Sequence, residues 1–142
     1  MRSFATDYAN GLKAEQVLLP IFNAFFNTTF TKTDTYDPFD FISPTLNLEL
    51  KSRTNKYRQY PTTLLPSSKL VAADRSPTET IFAFKFTDGL YYIKYDKTLF
   101  SSFPTNEFQR DDRSDHTDRR QTYTYIPIKY LRPIPTNAEP MA

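Results

Sequence analysis

The sequence predicts an α/β (α+β) fold in which a mixed β-sheet is flanked by helices. Two observations favour it: an apolar helical repeat at residues 11–27 precedes three strand-like runs, and a second helix then leads into further strands. The 142 residues, 39% hydrophobic and 16% aromatic, provide material for one core. We therefore expect a single domain over residues 1–142, with its core at about 11–135.

The first helix is predicted at residues 11–27, where apolar side chains recur at helical spacing. They include Leu12, Leu19, Phe22 and Phe26. Pro20 removes a hydrogen bond from the helix interior, so we expect a kink there or two shorter helices. Glu15 lies one turn before Leu19, at the border of the apolar face, where it could face water or the edge of the core.

Two short strands, at residues 39–42 and 46–50, flank a Ser-Pro-Thr turn. Side chains of a strand alternate between its faces, so the three leucines of the second strand share one face. Asn47, Glu49 and Lys51 share the other face. Glu49 and Lys51 are therefore neighbours on one side of the predicted sheet.

Asp40 lies in the first of these strands, and eight residues separate it from Glu49. Across a tight turn the two carboxylates can converge and bind a hard divalent cation through oxygen. Lys51 projects to the same side, where it can orient a water or neutralise charge on a phosphorus-bound oxygen. Metal, activated water and positive counter-charge are what a metal-dependent phosphodiester cleavage requires.

Asp40 followed by Glu49-Leu50-Lys51 resembles the Asp…(Asp/Glu)-x-Lys signature of the PD-(D/E)xK nuclease superfamily, which includes restriction endonucleases and Holliday-junction resolvases. The longer pattern YDPFDF…ELKSRTNKYRQYPTT…SSK is also similar to nucleases of large DNA viruses and phages. The resemblance covers about residues 11–96. It implies a restriction-endonuclease-like core.

The resemblance also implies the roles of individual residues. Asp40 and Glu49 would bind Mg²⁺ or Mn²⁺, and the backbone carbonyl of Leu50 would add a ligand. Lys51 would be the catalytic lysine that assists the attacking water. Asp40, Glu49 and Lys51 are thus the expected catalytic residues.

Two further acidic residues enter the resemblance. Glu15 resembles the helix glutamate that supports the metal site in a subset of members, and only its position on the first helix suggests this. Asp37 competes with Asp40 for the role of first acid. Asp40 is favoured because it starts the apolar run into the hairpin, whereas Asp37 immediately precedes Pro38.

Positive side chains after the hairpin are candidates for substrate binding. Arg53, Lys56 and Lys69 could hold phosphates without reading sequence. Lys69 lies in a helix predicted over residues 67–76. Solvated side chains are the alternative interpretation of all three residues, and it is favoured for Arg58.

The rest of the chain predicts a hairpin and a long polar loop. Asp88 and Gly89 form a turn between alternating aromatic strands. Residues 104–121 are almost free of apolar side chains and predict a solvated loop. Pro127 suggests an edge strand, and residues 136–142 should form a frayed tail.

Composition excludes several kinds of site. The chain has no cysteine, so disulfides, thiolate zinc sites and cysteine nucleophiles are excluded, and any bound metal needs oxygen ligands. His116 is the only histidine, which excludes a triad of histidine ligands. Eleven prolines against two glycines disfavour a phosphate-binding glycine loop. No apolar run approaches the roughly 18 residues that cross a bilayer, so we expect an intracellular or virion-associated protein.

The function expected from these residues and the resemblance is metal-dependent endonucleolytic cleavage of DNA, including branched or junction DNA. The alternative is a nuclease-like protein without catalysis that binds nucleic acid or builds a virion. Cleavage of RNA is a third expectation that the chemistry permits. The resemblance to resolvases also implies a homodimer, because such enzymes cut two strands symmetrically.

Overall fold

The fold is that of a computed structural model, which describes residues 4–109 and 120–136, and the side chains of residues 14–107 and 121–136. Three predicted features lie outside the described residues: the residue His116, the middle of the polar loop, and the tail after residue 136. Among the described residues, no helix combines the length and apolarity needed to cross a bilayer.

Three helices and nine strands make up the described chain. The helices are α1 (Phe4–Phe26), α2 (Ser67–Arg75) and α3 (Lys97–Ser101), with a 3₁₀ turn at Ile128–Tyr130. The strands are β1 (Thr31–Lys32), β2 (Phe41–Ile42), β3 (Leu46–Ser52), β4 (Thr62–Pro66), β5 (Glu79–Phe86), β6 (Gly89–Lys94), β7 (Thr105–Gln109), β8 (Arg120–Pro127) and β9 (Arg132–Ile134).

The strands form two sheets. The larger sheet has the order β1-β2-β3-β5-β6-β9, and the smaller has the order β4-β8-β7. Within the larger sheet β3 and β5 are parallel, while the other neighbours are antiparallel. Parallel strands need a long crossover, which β4 and α2 provide here. The predicted mixed sheet flanked by helices is confirmed, as is the hairpin at the Asp88-Gly89 turn.

The two faces of the larger sheet carry separate apolar clusters, because successive side chains of β5 point to opposite sides. Ile81 joins the cluster that α1 covers. Phe82 and Phe84 join the cluster on the other face, which α2, α3 and the smaller sheet cover. Leu48 of β3 packs in the α1 cluster, so its neighbour Glu49 points to the other face, toward α2.

The first helix is longer than predicted, and it is continuous. It begins at Phe4 and runs through Pro20 to Phe26, so the expectation of two shorter helices is wrong. Pro20 and Gln16, whose carbonyl loses its helical partner, both lie on the exposed side of the helix. Water can therefore satisfy that carbonyl, and the helix tolerates the proline.

The polar loop predicted at 104–121 is wrong at both ends. Residues Thr105–Gln109 form β7, which pairs antiparallel with β8 from Arg120 onward. β7 is an edge strand whose outer side faces water, which tolerates polar side chains. Pro127 does not mark an edge strand either, since β8 lies between β4 and β7. Pro127 is the last residue of β8, where its missing N–H costs little.

Candidate active site

Strand β3 carries the first part of the site, because it is a central strand with alternating side chains. Its leucines face α1, and Glu49 faces the opposite side at only 3% exposure. A carboxylate so deeply buried requires charged or hydrogen-bonding partners. Those partners come from the start of β2, from Lys51 two residues further along β3, and from α2.

Asp40 reaches β3 from the residue just before β2. The β2–β3 ladder pairs Phe41 with Leu48 and goes no further, since β2 has two residues. The next N–H on that edge of β3, from Leu50, donates instead to Asp40 Oδ2 at 2.8 Å. The Leu50 carbonyl points to this same edge, because the N–H and C=O of an extended residue share a side.

The carboxylates of Asp40 and Glu49 thus lie close enough to influence each other. Burial raises the pKa of Glu49, and the charge of Asp40 raises it further, while Lys51 and Lys69 act in the opposite direction. In the absence of a cation between them, two adjoining carboxylates repel each other.

Two lysines contact the same oxygen of Glu49. Lys51 Nζ lies 3.2 Å from Glu49 Oε2, and Lys69 Nζ lies 3.3 Å from it. Lys69 also donates to the carbonyl of Pro38, which precedes Asp40 by two residues. The structure therefore places Lys69, expected from sequence to contact substrate, against the carboxylate at the centre of the site.

Lys32 is a further member of the site that sequence reasoning missed. It lies in β1, which pairs with β2, and its Nζ is 2.8 Å from Glu15 Oε2 and 3.8 Å from Asp40 Oδ1. Burial lowers the pKa of Lys32, but the hydrogen bond with Glu15 and the charges of Glu15, Asp40 and Glu49 outweigh this and raise it.

Glu15 reaches the site through Lys32. In the described part of the chain, no three Asp, Glu, His or Cys side chains lie close enough together to hold a metal ion by themselves. The oxygen donors assembled here are therefore two carboxylates, from Asp40 and Glu49, and the carbonyl edge of Leu50. The ammonium of Lys32 lies between Glu15 and Asp40.

The side chain of Asp37 caps the turn before β2. Its Oδ1 accepts a hydrogen bond from the Phe39 N–H at 3.0 Å, the arrangement of an Asx turn. Of the two acids that compete for the first position, Asp40 is the one that adjoins Leu50 and Glu49.

A comparison with protein families gives one match that covers most of the chain. The model of a family described as "Phage putative PDDEXK endonuclease" matches residues 8–134. The chain belongs to this family. Neither the curated proteins nor the solved structures contain a significant match. The PDDEXK match confirms the PD-(D/E)xK resemblance and extends it past residue 96, to β9.

The donors at this site fit the divalent metal that PDDEXK nucleases usually use. Asp40 and Glu49 are hard oxygen ligands. Burial raises the pKa of Glu49 and the charge of Asp40 raises it further, and a cation between the two carboxylates would relieve their repulsion. Lys51 and Lys69 act against burial and the charge of Asp40, and the pKa of Glu49 stays raised.

Arg53 and Lys56, the other two residues expected to bind substrate, both lie in the described part of the chain and do not make the contact with the Glu49 carboxylate that the structure shows for Lys69. Arg53 lies between the two sheets, where it donates to Thr63 Oγ1 at 3.1 Å and to the Leu64 carbonyl of β4. Its guanidinium also lies over the Phe84 ring, 5.7 Å from the centroid. Burial lowers the pKa of Arg53. Lys56 is exposed and lines a different cleft from Lys51 and Arg53.

Proposed function

We propose that this protein is a Mg²⁺-dependent endonuclease that hydrolyses phosphodiester bonds in DNA inside the cell, with Mn²⁺ able to replace Mg²⁺. One observation carries the proposal. The carboxylate of Asp40 is bonded to the Leu50 N–H beside Glu49, and Lys51 Nζ is 3.2 Å from the Glu49 carboxylate. Acid, acid and lysine converge at one end of β3.

In this proposal the oxygens of Asp40, Glu49 and the Leu50 carbonyl hold the metal. Bound there, Mg²⁺ would stabilise charge on the phosphate and lower the pKa of a water molecule. Lys51, fixed beside Glu49, orients the attacking water and stabilises negative charge that develops on the phosphate oxygens. Lys69 holds Glu49 from the α2 side and so positions it.

A second candidate function is nucleic-acid binding or virion assembly without catalysis. One observation favours it: ammonium groups already contact the acidic cluster, Lys32 at Glu15 and both Lys51 and Lys69 at Glu49. A site neutralised in this way does not need a metal to be stable. Under this alternative the protein would bind DNA and leave it intact at any Mg²⁺ concentration.

Cleavage assays separate the two candidates. Labelled duplex, single-stranded and four-way-junction DNA, with matched RNA, are incubated with the protein in Mg²⁺ or in EDTA. We expect Mg²⁺-dependent cleavage of DNA that Glu49→Gln and Lys51→Ala each reduce by at least about 100-fold. Asp37→Asn is the matched control and should stay active, because Asp37 acts in the turn. Activity that survives Glu49→Gln would remove these residues from the mechanism, and faster cleavage of RNA would reassign the substrate.

The oligomeric state remains a prediction from the resemblance. A homodimer would place two sites on two strands, as symmetric cleavage of a junction requires. Sedimentation of the protein with and without junction DNA tests it, and a monomer in both conditions would contradict it.

A further inference from the structure

A cleft of about 630 Å³ opens next to the candidate active site, between the end of β3 and the smaller sheet. Its lining includes Lys51, Arg53, Asn55, Tyr60, Thr62 and Tyr123. Lys51 belongs to both the cleft and the site, since its ammonium contacts Glu49. When a substrate is bound at the site, the group next to its reacting phosphate would therefore lie at this cleft.

The charge of the cleft suits a phosphate-bearing ligand. The described residues that line it include two cations, Lys51 and Arg53, and no acid. Arg53 is fixed by its bonds to Thr63 and Leu64, so its charge is held in place without a side-chain ordering cost on binding. The acids lie on the other side of Lys51, at Glu49 and beyond.

Two tyrosines give the cleft aromatic surface. Tyr60 is 54% exposed and lines the cleft, so its ring is accessible to a ligand. Tyr123 is half-buried, and its hydroxyl donates to Gln121 Oε1 at 2.7 Å. Bases stack on such rings regardless of sequence. The volume is in the range that encloses one small ligand.

We propose that this cleft binds one unpaired nucleotide adjacent to the scissile phosphate. The proposal rests on the proposed function and specifies its substrate class: single-stranded DNA, or the unpaired segment of a branched or frayed duplex. A base within a duplex is held by pairing and by its stacked neighbours, so it must be extruded at a cost before it can enter such a cleft. An unpaired base enters without that cost.

The proposal is tested by binding, which does not depend on turnover. Fluorescence anisotropy in Ca²⁺ compares a labelled 12-nucleotide single strand with its blunt duplex, and a free nucleoside monophosphate is the competitor. We expect the single strand to bind at least about tenfold more tightly than the duplex. Tyr60→Ala should weaken single-strand binding about tenfold, and Tyr60→Phe should retain it, because the ring supplies the stacking.

Tyr130→Ala is the matched control, since Tyr130 is 40% exposed and lines a different cavity. Equal affinity for duplex and single strand, or a Tyr60→Ala protein that binds the single strand like wild type, would overturn the proposal. Competition by the monophosphate is expected, because one nucleotide fills the cleft. A protein that binds the monophosphate but not the single strand would restrict the cleft to free nucleotides and overturn the proposal.

Failure of this proposal can be distinguished from failure of the proposed function. If the protein cleaves duplex as fast as single strand, the endonuclease proposal stands and the proposed role of the cleft is wrong. If the protein binds the single strand through Tyr60 but never cleaves it, the proposed nucleotide cleft stands and the proposed endonuclease activity is wrong.

Discussion

Replacing Lys32 with alanine should tighten divalent-metal binding and destabilise the metal-free protein. Lys32 Nζ lies 2.8 Å from Glu15 Oε2 and 3.8 Å from Asp40 Oδ1. In the absence of metal, the Lys32 ammonium therefore offsets the repulsion between the carboxylates of Glu15 and Asp40. A divalent ion entering beside Asp40 must displace this charge or bind against it.

The magnitude follows from the exposure of Lys32. Its side chain is 45% exposed, so it can swing into solvent when a metal binds, and the cost of metal entry is limited to the lost ion pairs. Exposed pairs of this kind contribute about 0.2–1 kcal/mol each. Two such pairs sum to about 0.4–2 kcal/mol, so the Lys32→Ala protein should bind metal about two- to thirtyfold more tightly. The same loss lowers the stability of the metal-free protein by about 1 kcal/mol, or roughly 3–4 °C in Tm.

Two measurements check this prediction. Titration calorimetry with Mn²⁺ gives the affinity, and thermal unfolding in EDTA and in Mn²⁺ gives the stability. Lys94→Ala is the matched control, because Lys94 Nζ also lies 2.8 Å from a carboxylate, Glu79, with a comparable exposure of 53%, and both are away from the site. This control should leave metal affinity unchanged.

Weaker Mn²⁺ binding by Lys32→Ala would refute the reasoning, since it would make Lys32 a support of the metal ligands. Unchanged affinity would show that metal binds elsewhere.

Two further predictions concern stability. Burial raises the pKa of Glu49 above its ordinary value of 4.5, so the stability it contributes in metal-free protein is complete below pH 4.5 and is lost as the pH rises through the raised pKa. In EDTA, the free energy of unfolding of Glu49→Gln should therefore rise relative to that of wild type as the pH rises through this range. A difference in unfolding free energy that stays constant with pH would contradict the prediction. Arg53→Lys should cost about 1–3 kcal/mol in urea unfolding, because lysine cannot make both bonds to β4. Exposed Lys56→Ala should stay within about 0.5 kcal/mol, and equal losses in the two variants would contradict the buried role of Arg53.

The parts of the site that follow from local pattern were predictable from the sequence. Alternation along β3 places Glu49 and Lys51 on one face, and the short turn brings Asp40 to the same strand. The amphipathic repeat locates α1, although the start of the helix at Phe4 does not follow from it.

The parts that depend on long-range pairing were not predictable. Lys32 lies in a threonine-rich, strand-like run in which nothing marks the lysine as part of the site. Only the pairing of β1 with β2 brings it beside Asp40. Strand β7 is polar in sequence and forms because β8 supplies its hydrogen bonds. The place of Arg53 between the two sheets likewise depends on β4, which is not adjacent to β3 in either sheet.

The most direct test of the central claim is a calorimetric titration with Mn²⁺, which needs no knowledge of the substrate. The account predicts a site in wild type that Asp40→Asn and Glu49→Gln each weaken by at least about tenfold, because each removes a direct ligand. Asp37→Asn should bind like wild type, since that carboxylate caps a turn. Mn²⁺ binding that is unchanged in both Asp40→Asn and Glu49→Gln, or no binding by wild type, would contradict a metal centre at the end of β3.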